Sequence, residues 1–282
     1  MHLYKTSKGN ILRAKGISYF INETWDNILS HENLYQYLVG LLNAENQISE
    51  DQANYIINNH LLAPIGSQEV WAAGVTYLKS RDARMEESED TGAADCYQRV
   101  YEAERPELFF KSLPHRVAGH KQYVHIRKDS TWNVPEPELT LYINATGSIQ
   151  AYTIGNDMSS RSIEGENPLY LPQAKTYEGS ASLGPCLFIT EEPISLDTAI
   201  HMNIFRGETK MFDDGTTLTK MKRSLDELAG WLYREMDFKY GCFLMTGTCV
   251  VPPNDFTLNE NDVVNITIDG IGTLTNTIAI KK

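Results

Sequence analysis

The chain has 282 residues, of which 41% are hydrophobic and 22% charged, an ordinary globular composition that can bury a sizeable core. Its 37 acidic and 25 basic side chains leave a formal net charge of −12, which speaks against a nucleic-acid partner. No apolar run approaches the roughly 18 residues of a membrane-spanning helix, so no membrane partner is expected.

Residues 1–66 read as a separate small α+β unit. The opening MHLYKTSKGN has no apolar signal core, so export is not expected and a cytoplasmic location is. Strand-like LYKTS and ISYFI precede two segments with apolar residues at helical spacing, ENLYQYLVGLLN and ISEDQANYIINNHLL. APIGSQ closes the unit as a linker. The unit holds no catalytic constellation, and assembly or scaffolding is its expected role.

Residues 67–282 are expected to form the working domain. QEVWAAGVTYL reads as a buried strand. The segment Lys79 to Glu104 is highly charged, helix-favouring and interrupted at Gly92; it is either a solvated helical pair or a lid. From residue 108 onward short β-like runs dominate, punctuated by turns such as NATGS, DDGTT and PPND. This is the style of a mostly-β sandwich or barrel-like fold. One amphipathic helix is expected at about 224–237, with Ser224 as N-cap and Glu227 at capping-box spacing. Cys96, Cys186, Cys242 and Cys249 show no CxxC spacing and are expected as reduced thiols.

VPEPELTL, residues 134–141, places Glu136 and Glu138 two apart in an extended run, so both carboxylates share one face. Pro135 and Pro137 remove two backbone donors, which suits an edge strand or the start of a strand. The pair is either a solvated edge or two legs of a metal site that needs a third ligand. Asp157 ends the next strand and opens a helix-like MSSRSIEGE. It reads equally as that third ligand or as an N-cap. Three carboxylates without a nearby cysteine favour a hard ion such as Mg²⁺, Mn²⁺ or Ca²⁺ over zinc.

PEPEL, YTIGNDMSSR, ENPLYLPQAKTYEGSASLGP and the late MTGT resemble the fumarylacetoacetate hydrolase superfamily over most of residues 70–282. Within it, GVTYLKSR, VYEAERPELFFK and ENPLYLPQAK resemble the sugar-acid dehydratases. The resemblance implies an α+β fold, mostly β, with a mixed β-roll catalytic domain and a small N-terminal domain. It also implies a divalent ion, usually Mg²⁺, held by Glu136, Glu138 and Asp157, and a homodimer or homotetramer. The implied reaction is Mg²⁺-dependent dehydration of a 2-keto-3-deoxy sugar acid, such as 2-dehydro-3-deoxy-D-arabinonate, to 2,5-dioxopentanoate.

The resemblance places Lys175 in the site, where a lysine near a metal in partly apolar surroundings can shuttle protons. It also places Thr248 where the substrate carboxylate is held. Glu107, just before an apolar run, is a candidate acid/base for the departing hydroxyl, or simply a charge at the start of a strand. Ser80 and Arg81 are candidate anion contacts; Arg81 could instead pair with the acidic run after it. The superfamily's hydrolases carry a water-activating histidine after the first core strand, and Tyr77 to Asp82 contain none. His115 and His120 are the nearest in sequence, so a C–C bond hydrolase of an acylpyruvate-like 2-oxo acid is the alternative. A module with a structural cation and no turnover is the third reading.

Overall fold

The computed structural model describes residues 1–78 and 94–281. Residues 79–93, with Ser80, Arg81 and most of the charged segment Lys79 to Glu104, lie outside the described residues.

The N-terminal strands are β1 (His2–Thr6), β2 (Gly9–Ala14), β3 (Ile17–Ile21) and β4 (Gln47–Ile48). The next group is β5 (Glu69–Gly74), β6 (Glu107–Ser112), β7 (Val117–Ala118), β8 (Gln122–Ile126) and β9 (Asn133–Val134). Then come β10 (Pro137–Ile143), β11 (Ile149–Asp157), β12 (Ser159–Ser160) and β13 (Ala181–Phe188). The last are β14 (Ala199–Arg206), β15 (Thr209–Thr217), β16 (Cys242–Met245), β17 (Val263–Ile268) and β18 (Gly272–Ile280). An 11-stranded sheet runs β4-β3-β2-β1-β13-β11-β10-β16-β5-β6, with β7 added beside β13. A second, five-stranded sheet runs β15-β14-β17-β18-β8. This is the mostly-β α+β architecture expected from the sequence.

Alternation along β10 explains why the two sheets face each other. Leu139, Leu141 and Ile143 pack against Met202, Ile204, Val264, Ile266, Leu274 and Ile278 of the second sheet. Tyr142 points the other way, into a layer with Trp25, Ile28, Leu29, Leu34 and Leu38. Each large apolar side chain so buried contributes about 1.5–3 kcal/mol. With both faces covered, β10 is buried throughout, and it lies between β11 and β16. VPEPELTL is therefore the start of a central strand, with its prolines where few ladder bonds are needed, and not a solvated edge.

The N-terminal strands extend this sheet: β1 pairs antiparallel with β13, and Tyr142 Oη donates to Leu29 O at 2.7 Å. Local caps set the helices. Ser49 Oγ accepts from Gln52 N ahead of α1 (Glu50–His60), and Ser224 Oγ accepts from Glu227 N ahead of α3 (Leu225–Leu232). Between them in sequence, α2 (Ala94–Glu102) is the described part of the charged segment. Arg223 closes its C-terminal end, donating to Ala103 O at 2.7 Å, Glu104 O at 2.8 Å and Val100 O at 3.3 Å. A cation on orphan carbonyls at a helix end is favourable for both hydrogen bonding and the helix dipole.

Candidate active site

Register builds the site. Glu136 and Asp157 exchange backbone hydrogen bonds just before the first paired residues of β10 and β11, Pro137 opposite Asn156. Directly opposed residues of an antiparallel pair share a face, and Glu138 shares it by parity. The outcome is a cluster of Glu136, Glu138 and Asp157 whose ligand atoms lie within 4.8 Å of one another. All three are buried, with relative exposures of 3%, 2% and 1%.

Buried cations answer part of this charge. Lys175 Nζ contacts Glu136 Oε2 and lies 3.2 Å from Asp157 Oδ2. Arg161 Nη2 donates to Glu136 Oε1 at 2.8 Å. Lys111 Nζ pairs with Asp157 Oδ1. Glu138 is different: it accepts from Gly247 N at 2.6 Å and has no ion-pair partner among the described residues. Burial, then the carboxylates of Asp157 and Glu136, hold its carboxyl well above the usual carboxylate range. Burial likewise pushes the Lys111 ammonium down, against the pull of Asp157. An all-oxygen set of buried carboxylates with one left uncompensated fits a hard divalent cation.

The walls come from the end of β5, from β6, from the ends of two short helices and from the turn after β16. Ala73, Gly74, Val75, Phe109, Arg161, Lys175, Gly247 and Thr248 enclose, with the three carboxylates, a cavity of about 20 Å³. That is about the space of a single water or small ion. Gly74 pairs with Glu107 across β5 and β6, and a Cβ at Gly74 would fall 2.0 Å from Glu107 Oε2. The glycine is what lets the Glu107 carboxyl lie against the cavity wall. Gly247 turns at φ +93°, and a Cβ there would meet Thr76 Oγ1 at 2.0 Å. The Thr248 hydroxyl beside it accepts from Val250 N at 3.2 Å. A larger cavity of about 680 Å³, lined by Gln150, Glu191, Lys222 and Asp226 among others, includes none of these carboxylates. The chemistry, not the volume, marks the site.

The structure thus brings together Glu136, Glu138, Asp157, Lys175 and Thr248 around one cavity; Glu107 does not line it but lies against its wall residue Gly74 and lines a separate cavity of about 460 Å³. Ser80 and Arg81 lie outside the described residues. His115 is exposed, and His120 Nδ1 accepts from Thr275 N at 3.1 Å; neither lines the cavity. Sequence reasoning missed Lys111 and Arg161. Parity was a signal for the first, since Glu107, Phe109 and Lys111 share a face of β6. For Arg161, the only hint was its place four residues after Asp157 in YTIGNDMSSR. Glu164 backs it, accepting from Ser159 Oγ at 2.9 Å with Arg161 Nε 3.9 Å away.

A family profile described as fumarylacetoacetate (FAA) hydrolase C-terminal matches residues 70–279. A probable 2-keto-3-deoxyxylonate dehydratase of Haloferax volcanii is 46% identical over 225 residues, covering 79% of this chain and 76% of the relative. A 2-dehydro-3-deoxy-D-arabinonate dehydratase of Saccharolobus solfataricus is 41% identical over 215 residues, covering 75% and 72%. A solved 2-keto-3-deoxy-D-arabinonate dehydratase complexed with magnesium and 2,5-dioxopentanoate superposes with a TM-score of 0.84 at 29% identity. That superposition covers 100% of this chain and 99% of the other.

Proposed function

The chain belongs to the fumarylacetoacetate hydrolase family, and within it we propose a Mg²⁺-dependent hydro-lyase acting on 2-keto-3-deoxy sugar acids. With 2-dehydro-3-deoxy-D-arabinonate the product is 2,5-dioxopentanoate plus water. Two dehydratase relatives above 40% identity point to this substrate class. The observation that carries the reading is the shared cavity: three buried carboxylates with Lys175 among them and no histidine lining it among the described residues. The histidine that activates water in the superfamily's hydrolases has no counterpart among the described residues that line it.

Glu136, Glu138 and Asp157 would hold the magnesium ion. When bound, it supplies Lewis-acid polarisation of a 2-oxo acid's carbonyl, which acidifies the C3 protons. The residues of the chain do the rest. Lys175 takes a proton from C3, and its contacts with Glu136 and Asp157 hold its ammonium in place afterwards. Glu107 gives a proton to the C4 hydroxyl, which leaves as water as the C3–C4 double bond forms. A proton then moves from C5 to C3, and the resulting C4–C5 enol tautomerises to the aldehyde. Thr248 hydrogen-bonds the substrate carboxylate, and Ser80 and Arg81 add anion contacts. The phenyl ring of Phe109, with the Lys175 ammonium 5.9 Å from its centroid, keeps water from the proton-transfer face.

The active form is proposed as a cytoplasmic homodimer or homotetramer. The test is turnover of 2-dehydro-3-deoxy-D-arabinonate with Mg²⁺ and with EDTA, following 2,5-dioxopentanoate. Metal-dependent product is expected. Cleavage of acylpyruvates without dehydration would move the protein to the hydrolase branch.

A further inference from the structure

We infer that Lys111 is a positioning residue, which fixes one proposed metal ligand and the proposed proton shuttle through a single buried ammonium. Its side chain is fully buried, at 0% exposure, near the end of the sheet's edge strand β6. Three acceptors surround Nζ: the Asp157 carboxylate, Met158 O at 3.0 Å and Lys175 O. An ammonium has three donors; two go to the carbonyls of Met158 and Lys175, and the charge is answered by the Asp157 carboxylate as an ion pair. Lys175 lines the cavity and Lys111 does not. Lys111 is therefore placed to hold groups and not to exchange protons with substrate.

The three acceptors come from two ends that must meet. Asp157 ends β11 with Met158 just after it, and Lys175 is the last residue of the short helix Leu171–Lys175. Its carbonyl is among the orphans of a helix C-terminus, where a cation is favourable. Tying that carbonyl to the Asp157 carboxylate fixes where the Lys175 side chain starts relative to the carboxylates. A buried lysine carries a desolvation penalty, so a methionine of similar length would remove the tie and leave the shape.

The inference rests on the proposed function, and its test separates the two. Metal-stripped full-length protein and Lys111→Met are titrated with Mg²⁺ by calorimetry, without substrate, and kcat and KM are measured on 2-dehydro-3-deoxy-D-arabinonate. Residues behind metal ligands typically change affinity or activity by about 10–100-fold. The expected result is a Mg²⁺ Kd raised about tenfold or more, with kcat lowered about tenfold and KM changed by less than about threefold. If Lys111→Met does not fold, Lys111→Gln, which keeps donors without charge, is read in its place. A Kd within about threefold of wild type in the folded variant overturns the inference, whatever happens to kcat. Failure of the wild type to bind Mg²⁺ overturns it as well. Wild type that binds Mg²⁺ tightly yet dehydrates nothing overturns the function, and the Kd comparison still decides Lys111.

Discussion

Glu136 and Asp157 exchange both backbone hydrogen bonds, at 3.2 Å from Glu136 N and 3.0 Å from Asp157 N. That one pair converts a sequence separation of 21 positions (157 minus 136) into side-by-side carboxylates. A slip of one residue would turn Asp157 to the opposite face and dissolve the cluster. The register is held by the apolar side of the same strands, Leu139, Leu141 and Ile154 among them.

Lys175→Met is expected to lower kcat by about 10²–10⁴-fold, the usual range for a lost proton-transfer group. Mg²⁺ binding should persist, since Glu136, Glu138 and Asp157 all remain and Lys111 still holds Asp157. Calorimetry beside steady-state kinetics checks both; loss of metal binding with the lysine would assign it a holding role instead.

Gly74→Ala tests Glu107 without touching it. The new Cβ would lie 2.0 Å from Glu107 Oε2, the far end of a flexible side chain that can swing away. Stability should therefore fall only slightly, by about 1 kcal/mol, while kcat falls about as far as in Glu107→Gln. A Gly74→Ala enzyme of full activity would show that the carboxyl need not sit there.

Arg223→Met removes the donor to three carbonyls at the end of α2. Hydrogen bonds from charged groups contribute about 1.5–3 kcal/mol each to the folded state, so a loss of that order is expected. Hydrogen exchange resolves the consequence: amides of Ala94–Glu102 should exchange faster, with those of the central strands unchanged. Equal acceleration everywhere would make the effect global and not a loosened helix end.

Asp26 gives a pH dependence. Burial raises its pKa, but donation from Ser67 Oγ and N and from Gln68 Nε2 outweighs it, and the carboxyl ends below its ordinary value of 3.8. A depressed carboxylate contributes stability above the unfolded pKa and loses it as pH falls through the folded one. Asp26→Asn should thus lower the unfolding temperature at pH 7 and show a shallower loss of stability below about pH 3.8 than wild type. Parallel acid-unfolding curves would exclude Asp26 as a contributor.

How much of this was legible depended on range. Parity within PEPEL put two carboxylates on one face, a local signal, while Asp157 at its strand end read equally as an N-cap until the family resemblance made it the third ligand. The Ser224 cap with Glu227 was likewise local and is present as expected. Lys111 was obscured by its neighbours: LFFKS advertises an apolar strand, and nothing nearby announces the Asp157 carboxylate that answers its charge. Arg161 at a helix start resembles an ordinary surface cation until Glu136 is placed beside it. The pairing of β1 with β13 has no local signal at all, since His2 and Phe188 meet only in the folded chain.

That pairing has a consequence for how the molecule comes into being. The N-terminal ammonium bonds Ile189 O across a separation of 188 residues, and parallel β5 and β16 join Glu69 to Cys242. β1 pairs its sequence neighbour β2 directly, but its other partner, β13, lies far along the chain. Closing such wide loops before any reward arrives makes for slow folding and a long exposure of unpaired edges. A chain truncated before Met245 would lack the strand that fills the gap between β10 and β5. The hairpins β1-β2-β3 and β10-β11 can thus form from local chain, while the join of β5 and β6 to the rest of the sheet waits on β16.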